Sequence, residues 1–264
     1  MSNIAIIAVV VFALSVVMIM SGRGGGNFYV LAFVLAGIPM HRASTTSQFV
    51  LLASALSAAI IFGKARTLSW PLVFFLGGIN ALMAFVGGFE AHLFSGKALK
   101  IVLSIVLAIA GVLMLFPEKE GRKTVNPGMG YWNLKEGENV YVINLWLAVP
   151  LTIATGFFSG MVGISGGSFL IPLMVLACGV SMRTAVGTAT AMLGGTAFAG
   201  FAGNALHGGF DPALAIPSAA VAVLGGILGG KIALKTKPKS LKTISGVITI
   251  IAAIFMLVNA LSSK

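Results

Sequence analysis

Carboxylates are almost missing from this chain. Its 264 residues hold six Asp and Glu, namely Glu90, Glu118, Glu120, Glu136, Glu138 and Asp211. Acid–base and metal-assisted chemistry needs carboxylates, histidines or cysteines gathered as bases and ligands. No such cluster is visible, so the chain is read as not an enzyme, with no metal and no cofactor. A single cysteine, Cys178, excludes an intramolecular disulfide and a thiolate cluster. The three histidines, His41, His92 and His207, lie far apart. Charge of either sign is scarce as well, at 9% of residues against about 25% in a soluble domain.

What fills the chain is apolar: 58% hydrophobic residues and a mean hydropathy of +1.05. That composition fits an all-α polytopic membrane protein whose partner is the bilayer. The net charge of +11 comes from short clusters at segment ends. There cations orient the chain and meet anionic headgroups, so no nucleic-acid partner is expected. Met1–Met20 lacks a basic lead-in and an A-x-A site, and is read as a first span over Ile4–Met20 rather than a signal peptide.

Two segments break the apolar pattern. Ser-Gly-Arg-Gly-Gly-Gly-Asn precedes a run from Phe28 to Met40, and a polar step from His41 to Gln48 follows. Those thirteen apolar residues make about 20 Å of helix, too short for a hydrocarbon core of ~30 Å. The second break is Gly163–Thr190, which holds Gly163, Gly166, Gly167, Pro172 and Arg183. Further spans are expected near Trp70–Phe89, Leu99–Phe116, Val140–Met161, Pro212–Gly230 and Leu241–Leu261. Counting breaks as one, that gives about eight hydrophobic segments, or ten with half-helices.

The breaks fall at matching places in a repeat. A shift of 142 positions pairs Gly37 with Gly179, Thr46 with Thr188, Gly87-Gly88 with Gly229-Gly230, and Lys97-x-Leu99-Lys100 with Lys239-x-Leu241-Lys242. One residue of slip pairs Gly22, Gly25, Gly26 and Phe28 with Gly163, Gly166, Gly167 and Phe169. The chain divides into an N-terminal transmembrane repeat (1–116), a polar cytoplasmic connector (117–139) and a C-terminal repeat (140–264). If each broken segment returns to its own side, nearly all basic residues, Arg23 included, share one face. The positive-inside rule then favours inverted halves, each with three or more spans plus a re-entrant segment, and both termini outside the cytoplasm.

Interrupted helices in corresponding positions of two halves point to a transporter's binding site. Helix N-termini offer free N–H groups and partial positive charge to an anion. The candidate site therefore collects Arg42, Ser44, Thr45 and Thr46 from the first polar step. From the second break it takes Gly163, Ser165, Gly166, Gly167, Arg183, Thr184, Gly187 and Thr188. Arg42 and Arg183 have an alternative reading as snorkelling interfacial cations, and the hydroxyls as caps. Glu90 and Asp211, at helix ends, are candidates for proton coupling, with sodium the other option; solvated interfacial positions are the alternative. The paired glycines are read as packing seams.

The run Gly-Met-Val-Gly-Ile-Ser-Gly-Gly-Ser-Phe-Leu-Ile-Pro (Gly160–Pro172), with Gly179 and Ala185-Val-Gly-Thr188, resembles the glycine-rich motif of the TauE/SafE sulfite exporter family. The N-terminal copy departs by carrying Arg23 and Asn27 in its glycine run and by lacking the proline. The resemblance implies a permease of a prokaryotic inner membrane exporting sulfite or a small organosulfonate such as sulfoacetate. The residues alone give a transporter, with an anion as cargo. A passive anion channel and a permease for another metabolite stay open, as does a homodimer.

Overall fold

A computed structural model describes residues 2–115, 129–136, 139–236, 250–251, 253–255, 257–258 and 261. The chain opens with α1 (Ser2–Met20), α2 (Gly26–Leu35), α3 (Met40–Lys64), α4 (Trp70–Glu90, extended by a 3₁₀ turn Ala91–Leu93) and α5 (Gly96–Leu115). A hairpin of β1 (Tyr131–Glu136) and β2 (Asn139–Asn144) leads into α6 (Leu145–Val162), α7 (Gly167–Ala177), α8 (Met182–Ala205) and α9 (Pro212–Ala233). Among the described residues, five helices, α3, α4, α6, α8 and α9, are long and apolar enough to cross a membrane. The architecture is an all-α polytopic membrane protein.

Local chemistry sets the boundaries. Ser181 caps α8 by accepting from the Thr184 N–H, and Asp211 caps α9 by accepting from the Ala213 N–H. Prolines occupy the first turns of α4 and α9, where their missing N–H is not needed.

The hairpin corrects one expectation. Val140–Met161 was to be a span following a polar connector, but residues 139–144 pair antiparallel with 131–136, in register Tyr131↔Asn144, and the helix begins at Leu145. Tyr141, Val142 and Ile143 are aromatic or β-branched and suit a strand packed on one face. Leu134, Tyr141 and Ile143 are buried in one cluster with the α7 residues Leu170, Leu173 and Met174. Residues 117–128, 137 and 138 of the connector, Lys237, Lys239 and Lys242, and most of the expected Leu241–Leu261 span lie outside the described residues.

The order α1–α4 recurs as α6–α9, and the packing is reciprocal. Helix α4 lies against α6 and α8, while its counterpart α9 lies against α1 and α3. Helix α3 meets its own counterpart α8 antiparallel: Gln48 faces Gly200, Leu56 faces Gly194 and Thr67 faces Gly187. Equivalent helices thus run in opposite directions, and the halves are inverted. Glycines make the close approaches. A Cβ on Gly160 would collide with the Ala84 backbone, one on Gly87 with the Phe157 carbonyl, and one on Gly229 would stand 2.6 Å from the Val16 carbonyl. Gly78 has nothing within 4 Å among the described residues and belongs to no seam there.

The two ends of the bundle differ in charge. Lys64, Arg66, Arg183, Lys231 and Lys235 gather where α3 and α9 end and α4 and α8 begin. Arg42, Glu90, His92, Lys97, His207 and Asp211 lie at the opposite end, where the His92 and His207 rings stack at 3.8 Å.

Candidate functional site: the crossing of two re-entrant loops

Helix α1 runs toward the basic end, with Ser15 beside Gly225 and Ile19 beside Gly229. The chain then turns at Gly22 and α2 doubles back, so that α3 starts at the opposite end. Helix α6 runs the other way, turns at Gly163, and α7 returns to the basic end. Gly22 and Gly163 have φ of 69° and 81°, left-handed values that cost an L-residue about 1–2 kcal/mol and glycine almost nothing. Gly37 and Gly179, closing the half-helices, share the same hand at 85° and 62°. Every residue from Ser21 to Val30 and from Met161 to Gly167 is buried.

The returning limbs cross. A Cβ on Gly26 would stand 2.7 Å from the Ser165 nitrogen, and one on Gly167 would stand 2.7 Å from the Arg23 Cα. The same Cβ on Gly26 would stand 3.0 Å from the Ile164 carbonyl carbon and that on Gly167 2.8 Å from the Arg23 carbonyl carbon, two contacts that are equivalent under the repeat. On Gly24, a Cβ would meet Leu51 at 2.8 Å and Leu193 at 2.9 Å, themselves a matched pair, with Ser165 at 3.2 Å. The pseudo-two-fold axis therefore passes through this point. Asn27 Oδ1 accepts from the Ser165 N–H at 2.8 Å and its hydroxyl at 3.1 Å, tying one loop to the other. Ser47 Oγ donates to the Gly163 carbonyl at 2.6 Å, and Gln48 Nε2 to the Ser159 carbonyl at 2.8 Å. The N-cap positions of α2 and α7 are Gly25 and Gly166, which offer no side-chain cap, so among the described residues both half-helices bring uncapped N–H ends and positive dipole ends to one place.

The crossing gathers Gly163, Ser165, Gly166 and Gly167, with Ser44 against Gly163. Ser44, Thr45 and Thr46 are buried in the first turns of α3; Thr45 Oγ1 donates to the His41 carbonyl. Thr45, near Gly209, and Thr46 stand outside the crossing, and so do the remaining sequence-derived candidates. Arg42 is exposed at the start of α3. Arg183 is exposed too, and its guanidinium donates to the Leu234 carbonyl at 2.7 Å, joining α8 to α9. Thr184 serves the Ser181 cap. Gly187 lies against the Thr67 carbonyl, and Thr188 Oγ1 accepts from the Ser69 N–H. Glu90 and Asp211 stand partly buried at the end opposite the basic one, where Asp211 is the α9 cap.

Arg23 is the correction of most consequence. Counting cations placed it on the basic face, yet it is 2% exposed and its backbone abuts Gly167 at the crossing. Neither Arg23 nor Asn27 was among the sequence candidates. The signal was the repeat itself, because at these two places the first copy departs from Ile164 and Ser168 of the second.

A cavity of about 420 Å³ flanks the second loop, walled by Val102, Ile105, Leu151, Phe158, Ser159 and Ile164. Its lining is nearly all hydrocarbon, which suits an acyl chain and not a hydrated anion. The polar crossing is the candidate site.

Comparison with known proteins agrees with this architecture. The family model described as "Sulfite exporter TauE/SafE" matches residues 6–256. The chain is 24% identical over 211 residues to the probable membrane transporter protein YunE of Bacillus subtilis (strain 168), covering 78% of this chain and 77% of YunE. A probable membrane transporter protein of Xylella fastidiosa (strain 9a5c) is 24% identical over 239 residues, 89% and 87% of the two chains. YdhB of Bacillus subtilis, also a probable membrane transporter protein, is 25% identical over 230 residues, 86% and 89% of the two. On the extent of the family match, this multi-pass membrane transporter belongs to the sulfite exporter TauE/SafE family.

Proposed function

We propose that the chain exports a small sulfur oxyanion, sulfite or an organosulfonate, across a prokaryotic cytoplasmic membrane by alternating access. The observation that carries this reading is Arg23 enclosed where two uncapped half-helix N-termini converge. A cation buried at membrane depth costs about 2.5–3.5 kcal/mol on insertion scales and is retained for function. Together with the α2 and α7 amides, it offers charge and directed donors to oxyanion oxygens. Gly26 and Gly167 let the two loop backbones approach each other, which brings both N-termini to one place. Ser44 and Ser47, buried in the first turns of α3, stand against Gly163.

The repeats correspond to residues 1–116 and 140–264. With the basic end cytoplasmic, as the positive-inside rule requires, both termini face away from the cytoplasm. Glu90 and Asp211 then lie at the outer end, where a proton could couple to export. The test is flux of sulfite, sulfoacetate, taurine and sulfate in proteoliposomes. Saturable flux that accumulates one of the sulfur anions against its gradient supports the carrier. Non-saturating flux would replace it with a channel, and no flux of any of the four would remove the anion assignment.

A further inference from the structure

The two ends of this bundle are built from equivalent residues in unequal states. Thr46 and Thr188 match under the 142-residue shift, as do Ser69 and Asp211, the residues preceding α4 and α9. At the basic end the Ser69 N–H donates to Thr188 Oγ1 at 2.9 Å, with both residues 0% exposed. The α3–α4 turn is pressed home there, with the Thr67 carbonyl against Gly187. At the opposite end Thr46 is just as buried, at 0%, yet its Oγ1 has no hydrogen-bond partner among the described residues. The α8–α9 turn lies more loosely: the nearest atoms to a Cβ on Gly209, counterpart of Thr67, are Arg42 Cγ at 3.8 Å and Thr45 Oγ1 at 3.9 Å. One end is latched and the other is slack.

A buried hydroxyl left without a partner forfeits its hydration for nothing in return. Its natural partner is supplied by the repeat. We propose that Thr188 and Thr46 are reciprocal latches that set which end of the carrier is closed. Thr188 holds the α3–α4 turn in the state seen here. In the opposite state that bond opens and Thr46 accepts the Asp211 N–H instead. Both are positioning residues, since neither belongs to the crossing. The exchange trades one hydrogen bond for its equivalent, which keeps the two states close in free energy, as alternation requires. This inference rests on the alternating-access reading and not on the identity of the anion.

The test uses the full chain with Cys178→Ala, carrying one reporter cysteine at either of two matched turn positions, Leu68→Cys or Phe210→Cys. The readout is the rate of labelling by a charged methanethiosulfonate in lipid nanodiscs, where both ends are accessible. Thr188→Val should speed labelling at position 68 and slow it at position 210, each about threefold to tenfold, the shift one net hydrogen bond allows. Thr188→Ser should restore both rates, because it keeps the hydroxyl. Thr46→Val, which removes no bond from the present state, should move both rates the other way. A change of the same sign at both ends, no change, or failure of the serine to rescue would overturn the latch. Reciprocal labelling without flux of any sulfur anion would keep the latch and discard the substrate; flux without reciprocity would do the reverse.

Discussion

Arg23 and Ile164 occupy matching places in the two loops, and one of them is charged. The crossing is therefore asymmetric in chemistry although its backbone is symmetric. Arg23→Gln should lower anion flux at least tenfold, about 1.4 kcal/mol, while the helical circular dichroism stays unchanged. Arg23→Lys should recover part of the flux, since it keeps the charge and loses the planar fork. Equal flux in all three chains would remove Arg23 from the site. Asn27 has a different part, holding Ser165 through two hydrogen bonds. Asn27→Ala strands a buried N–H and should cost about 1–3 kcal/mol, read as a lower thermal midpoint in detergent. Little of this was legible beforehand. A cation beside a helix end reads as interfacial in one dimension, and only the double-back of α2 puts Arg23 inside. Arg42 and Arg183 open helices too, but at the exposed ends of α3 and α8, the placement that their alternative reading as interfacial cations expects.

At the scale of elements the sequence was far more informative. Length decided it: ten residues in α2 and eleven in α7 cannot span a bilayer, and glycine marked both turns. The hairpin 131–144 escaped notice because its strand runs straight into α6, so an apolar stretch read as one helix. The glycines of the turns can be ranked by experiment. Gly163 needs a positive φ, and a Cβ there would stand 2.5 Å from Ser44 Oγ. Gly37 needs a positive φ but faces open space. Gly37→Ala should cost only the strain, about 1–2 kcal/mol, whereas Gly163→Ala adds a collision and should lower the thermal midpoint further. The same midpoint for both would mean that the loop yields, and that the crossing is softer than its packing indicates.

For the whole molecule, the inversion was legible from charge parity and repeat register, and the antiparallel α3–α8 contact agrees with it. A reporter fused after Lys264 should be inactive in the cytoplasm; activity there would reverse the orientation. The reciprocal packing carries a consequence for how the protein is made. Helix α4 finds its neighbours in α6 and α8, and α1 and α3 find theirs in α9, so neither half encloses its own glycine seams. While the ribosome is still translating the second half, those seams and the hydroxyl row of α3 have no permanent cover. A half-built bundle therefore leaves those seams open until α9 emerges.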